Sequence, residues 1–323
     1  MQELFFELLR VAIGQLDCLS RGPSTQEWHD IYQTAQRHGL VGVCYKGVER
    51  LFDYGLRVPQ DLSLDWMADA EALREEQELF DARCEKLVKR LAERKLHAAV
   101  MNGLGMRRYR DSELQHLLQA LAIDIFVDCS MDRTIKFARQ TGQQDIRCGY
   151  TSLALNVWDN TPVNLHYRVL SVRNPFANRR LQKWFVQNKD RMFRQGEDDW
   201  IVPSPTMNAV CMLQIFQQRL LRGEATMGYL LDYYYLLSEL KGAFQPFKEK
   251  SDITNTLQTL GLMQFAAGVM WVLQETLELN RQCMLCEPSE AEGRFILRCL
   301  MARKRSFKHL LLHYPMEMMW PNR

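Results

Sequence analysis

Residues 123–128 run Ile-Asp-Ile-Phe-Val-Asp, and this segment restricts the fold more than any other in the chain. Apolar, partly β-branched and too short for an independent helix, it predicts a strand buried on both faces. An aspartate in the middle of such a strand, Asp124, must be satisfied by hydrogen bonds or by a cation. Comparable short runs lie on either side. Leu96 to Met101 ends in Asn102-Gly103-Leu104-Gly105, which predicts a strand, a tight turn and the start of a helix. Thr151 to Trp158 and Val163 to Leu170 are two further strand-like runs, separated by the turn residues Asp159-Asn160-Thr161-Pro162. Ser130 or Asp132 can cap an intervening helix that runs to about Gln140 and ends at Gly142. Together these segments predict a mixed α/β unit over residues 95–172.

The flanks carry the helical period instead. In residues 1–94, Trp28 to Phe52 shows helical spacing with a break at Gly39. A long amphipathic helix is predicted from Asp65, its stripe formed by Trp66, Ala70, Leu73, Phe80, Cys84, Leu87 and Leu91 and interrupted by Gln77. In residues 173–323, Ser204-Pro205 is a helix start signal. Helices are expected through about Leu220, from Met227 to Leu240, from Leu257 to Leu279, and from Ser289 onward. The last opens on the capping-box spacing of Ser289 and Glu292. The fold class expected is α+β, with the mixed core set between N-terminal and C-terminal helical regions.

Composition removes several classes of function. A formal charge of +2 gives no overall attraction to nucleic acid or to a membrane surface, so any such site is a local patch. The 9 cysteines lack framework spacing and imply reduced thiols, hence a cytoplasmic protein. The opening residues carry acids where a secretory signal carries bases, which predicts an amphipathic first helix. Ile253 to Gln274 is free of charge and long enough to span a bilayer. It also holds Asn255, Thr256, Gln258, Thr259 and Gln264, which are costly in lipid, so a core helix entered through a polar turn is expected, and no membrane contact.

The order of segments resembles the uncharacterised nucleotidyltransferase family of bacterial genomes, whose core reads Leu-Lys-Gly, a tyrosine-containing stretch, an arginine and then Asp-Ile-Asp-Leu-Leu-Val. Met101-Asn102-Gly103 takes the first place, with Tyr109 and Asp111 in the stretch that follows. Ile123-Asp124-Ile125-Phe126-Val127 takes the acidic strand, and Val163-Asn164-Leu165-His166-Tyr167 a later strand ending in histidine and an aromatic. Ala35-Gln36-Arg37-His38-Gly39 and Leu230-Leu231-Asp232 are similar to elements of the family's first and later helices.

The resemblance implies a nucleotidyltransferase-like core and metal-dependent transfer of a nucleoside monophosphate from a nucleoside triphosphate (NTP) to an acceptor. Such chemistry uses two Mg2+ ions held by converging carboxylates. Asp124 stands at the first metal-binding position, and Asp128, on the same strand face about 7 Å further on, could assist. Asn102, Gly103 and Gly105 form the turn that would face the triphosphate. The departures are as telling. Phe126 stands at the second aspartate position, Asn164 at the third carboxylate, and Asn102 in place of the lysine. The resemblance therefore implies an impaired enzyme that can still bind a nucleotide; the alternative reading is a non-catalytic interaction module whose partner is an unidentified protein.

Three other constellations are weaker. Cys283 and Cys286 have zinc spacing without a second pair. His309 and His313 lie one helical turn apart but are separated by leucines, which predicts a structural pair. Arg173 to Trp200 interleaves bases with Trp184, Phe185 and Phe193, as an RNA-binding stretch does, yet also fits an ordinary amphipathic helix with Leu181, Trp184 and Phe185 buried. Nucleic acid is accordingly a disfavoured partner.

Overall fold

The computed structural model describes residues 2–52, 54–140, 146–158, 160–172, 174–193, 200–243, 246–302 and 313–314. Four helices come first: α1 (Gln2–Ala12), α2 (Thr25–Arg37), α3 (Val41–Phe52) and α4 (Gln60–Glu93). A capping box starts α2, in which Ser24 accepts from the Glu27 amide and Glu27 accepts from the Ser24 amide. The break between α2 and α3 falls at Gly39, whose φ of 67° suits glycine.

The mixed unit follows: β1 (Ala98–Met101), α5 (Asn102–Met106), β2 (Ile123–Val127), α6 (Met131–Gln140), β3 (Arg147–Cys148), β4 (Ser152–Trp158) and β5 (Thr161–His166). The strands form one sheet in the order β1-β2-β5-β4-β3. Only β2 and β5 run parallel, and every other pairing is antiparallel. The outer edge of β1 is covered, because the Val100 amide donates to the Ile201 carbonyl at 2.8 Å. Asn102 to Gly105 is not the turn expected before a helix. It is itself the short helix α5, entered directly from β1.

The sheet has two unlike faces. Ile123, Ile125 and Val127 pack with Phe80, Cys84, Leu87 and Leu91 of α4 and with Phe137 of α6 in one apolar cluster. Asp124 and Phe126 point the other way, toward the helices of the C-terminal region: α7 (Pro175–Gln187), α8 (Pro205–Arg222), α9 (Met227–Ala243), α10 (Pro246–Leu260), α11 (Met263–Leu277) and α12 (Glu290–Met301). The N-terminal and C-terminal helices share a single core, in which Leu4, Phe5, Leu8 and Leu9 join Phe265, Val269 and Leu273.

Two helical expectations need correction. The charge-free stretch is two helices, α10 and α11, parted at Gly261 with φ 77°. Among the described residues no helix is long and apolar enough to cross a membrane. At the start of α12, Ser289 makes no side-chain cap bond. Glu292 is instead buried, accepting from Gln264 Nε2 at 2.8 Å, from His313 Nε2 at 2.9 Å and from the Tyr314 hydroxyl.

Candidate functional site

Strand register assembles the site. Asp124 lies between Met101 on β1 and Asn164 on β5, and Phe126 lies beside His166. Since alternate residues share a face, Asp124, Phe126, Asn164 and His166 converge on the side turned to the C-terminal helices. Asn102 reaches the same point from the first residue of α5. It sits at φ 53°, a left-handed conformation that asparagine tolerates better than most side chains.

The Asp124 carboxylate is saturated by donors. Asn102 Nδ2 donates to Oδ2 at 2.8 Å. Asn164 Nδ2 and His166 Nε2 both meet Oδ1 at 3.0 Å. An ionised carboxylate only accepts, so His166 presents Nε2–H, and its buried Nδ1 has no partner among the described residues. Burial by itself would raise the Asp124 carboxyl. The His166 contact, followed by the Asn102 and Asn164 amides, outweighs it and holds the group below its ordinary value. The result is a carboxylate kept ionised by the chain's own N–H groups.

The other acidic positions of the resemblance are filled differently. Phe126 is buried, and its ring lies 5.9 Å from that of Phe193, which meets His97 edge-on at 6.1 Å. Asp128 forms an ion pair with Lys189. The 3-10 turn Lys189–Met192 and Phe193 therefore cover the end of β2 from Asp128 to Phe126. Among the described residues no three His, Cys, Asp or Glu side chains gather where they could hold a metal ion. A two-cation centre does not fit this donor set, since Asp124 is its one carboxylate, both its oxygens accept N–H bonds, and a phenyl ring and an amide stand where the resemblance would place acids.

The glycines of α5 are fixed by close packing. A Cβ on Gly105 would lie 2.5 Å from the Val100 carbonyl oxygen, and one on Gly103 would lie 3.0 Å from Ala120 Cβ. The Gly103 carbonyl accepts from Arg110 Nη2 at 3.0 Å. Arg110 is buried and also grips Asp232 of α9, so the α5 turn is anchored to the C-terminal helices. Asp111 accepts from the Tyr235 hydroxyl at 2.8 Å, a second tie to α9.

Sequence reasoning missed two buried polar joints, one beside α5 and one between α2 and α9. Gln77 occupies the α4 stripe it was expected to interrupt. Its Oε1 accepts from the Ala120 amide at 3.0 Å and from Arg107 Nη2 at 3.2 Å, while its Nε2 donates to the Ala120 carbonyl at 3.3 Å. The side chain thus pairs with Ala120 as a strand neighbour would, directly under α5. His38 ends α2, and its Nδ1 accepts from the Met227 amide at 3.2 Å, while its carbonyl accepts from Gly228. Burial, aided by Arg37, lowers its pKa to about 4.

The remaining constellations disperse. Cys283 is buried and Cys286 half-buried, without a metal-like set around them among the described residues. His309 lies outside the described residues, and His313 stacks on Phe295 at 3.7 Å. In α7, Leu181 and Phe185 are buried and Trp184 is half-buried, as an amphipathic helix requires, whereas Arg179, Arg180 and Lys183 are exposed.

Among curated proteins none matches the chain. The model of one protein family, the uncharacterised nucleotidyltransferases, matches residues 24–278. That interval includes all five strands, the Asp124 cluster and the helices that close over it. The match agrees with the α+β fold and with the segment order on which the resemblance was drawn, and the chain belongs to the uncharacterised nucleotidyltransferase family.

Proposed function

We propose that this chain is a nucleotidyltransferase-like protein that no longer transfers nucleotides and acts by binding. One observation carries the reading: three N–H donors from Asn102, Asn164 and His166 occupy the one carboxylate that the family's reaction would need for its cations. Transfer of a nucleoside monophosphate with loss of pyrophosphate concentrates negative charge that two metal ions normally neutralise. With Phe126 and Asn164 beside it, Asp124 lacks the companions for that task. The loss is compensated within the site, because the two amides supply to Asp124 the positive dipoles that a cation would. Phe126 is likewise integrated with Phe193, so the altered residues support one another.

The test is incubation with each of the four α-labelled nucleoside triphosphates and Mg2+ or Mn2+. The outcome expected is no pyrophosphate release and no labelled product. Metal-dependent release abolished by Asp124→Ala would overturn the reading. The retained partner is then a nucleotide or another protein, and the reduced thiols suit a cytoplasmic setting.

A further inference from the structure

A cleft of about 550 Å³ lies between α7 and α10, away from the Asp124 cluster. That size suits a ligand as large as a mononucleotide. Its walls combine three features. Arg180 and Lys183 of α7 are exposed and, among the described residues, have no ion-pair partner. Arg191 joins them and is held only loosely, its Nη2 standing 3.8 Å from Asp252 Oδ2. Trp184 contributes an aromatic surface whose position is fixed by the core, with its ring edge-on to Phe185 at 5.1 Å. Asn255 of α10 adds an exposed amide.

Asp252 is the carboxylate in the lining and engages Arg191 alone, at long range, so Arg180 and Lys183 leave the wall with an excess of positive charge that favours phosphate, and a rigid indole favours the π-face of a base. We propose that this cleft binds a nucleoside phosphate, either a free nucleotide or the terminal nucleotide of a single-stranded nucleic acid. Arg180, Lys183 and Arg191 receive the phosphate and Trp184 the base. No divalent cation is needed, because the side chains themselves supply the positive charge. The site is separate from the Asp124 cluster and does not depend on whether that cluster transfers. It does touch the same segment: Arg191 belongs to the turn whose Lys189 pairs with Asp128 and which leads into Phe193 over Phe126.

The experiment is titration calorimetry in EDTA with ATP, AMP and a short 5′-phosphorylated single-stranded oligonucleotide. Binding of ATP or AMP identifies the free nucleotide as a source, and binding confined to the oligonucleotide identifies the strand end. Either supports the site. Arg180→Ala combined with Lys183→Ala, both exposed and confirmed as folded by circular dichroism, is expected to weaken binding by about tenfold or more. The proposal is overturned if none of the three ligands binds or if the double variant binds as tightly as the parent. It also fails if tripolyphosphate competes as well as ATP, since the indole would then be idle. Affinity that follows Asp124→Asn rather than the cleft variants would place the ligand at the sheet and overturn it too.

Discussion

Arg110 and Asp232, which are 122 residues apart, meet through two parallel hydrogen bonds, Nε to Oδ1 at 2.7 Å and Nη2 to Oδ2 at 3.1 Å, with both side chains buried. The guanidinium also donates to the Gln115 carbonyl at 2.9 Å and to Gly103. Removing one member of such a pair leaves a buried charge without its counterpart. Asp232→Ala is expected to destabilise the protein by about 3–5 kcal/mol, measured by urea denaturation. A double variant with apolar residues of similar volume at both positions should lose less than the single one.

At the sheet, Asp124→Ala strips the acceptor from three N–H donors at once and should cost on the order of 3 kcal/mol. Asn102→Ala and Asn164→Ala should each cost about 1 kcal/mol. Because the Asp124 carboxyl is held below its ordinary value, its contribution is present above the usual carboxylate range and is lost as pH falls through the depressed pKa. Acid denaturation of the parent and of Asp124→Asn, compared side by side, checks the sign: the variant should show a shallower loss at low pH.

His38 makes a second pH prediction. Its pKa drops from 6.5 to about 4 on folding, so the unfolded chain binds more protons between those values. Stability is full above pH 6.5 and falls as pH is lowered toward 4, by roughly 3 kcal/mol in total from this group. His38→Gln, which retains a side-chain acceptor for the Met227 amide, should flatten that part of the profile in thermal denaturation between pH 7 and pH 4. A profile unchanged by the substitution would show that His38 is not the group responsible.

Gln77→Leu fills the same space but abandons the Ala120 amide and carbonyl and one Arg107 contact. The expected loss is about 2–4 kcal/mol by chemical denaturation, even though leucine completes the apolar stripe of α4. A leucine variant as stable as the parent would mean that water replaces the amide.

How far the sequence disclosed all this depends on the range of the interactions. Strands β1, β2, β4 and β5 were legible because short apolar runs bounded by turn signals have few alternatives, whereas β3, two exposed residues without an apolar run, was not. Asn164 and His166 could be placed on one face of their strand because alternation is a strict period, but their meeting with Asp124 depends on the β2–β5 register. What pairs with Asp124 was not legible. The Asn102 contact depends on a left-handed backbone at the first residue of α5, where a turn was expected, and the Arg110–Asp232 pair has no local signature. The split between α10 and α11 was hidden because Gly261 sits inside an uncharged run that keeps a helical pattern on both sides. The Ser289 spacing misled because Glu292, three residues on, turns inward to His313 and Tyr314 rather than back to the cap. The true capping box, Ser24 with Glu27, carried the same signal and passed unnoticed.

The core shared by the two helical regions bears on how the chain is made. Leu4, Phe5, Leu8 and Leu9 of α1 belong to a cluster completed by α11, far later in the chain. Arg10 reaches Glu278 at 2.8 Å, at the very end of that helix. Helix α1 can pack on α3 soon after both are made, but the part of its apolar face that meets α11 stays exposed until that much later helix has been translated. The mixed sheet, by contrast, has all of its strands by residue 166 and can form while synthesis is still under way.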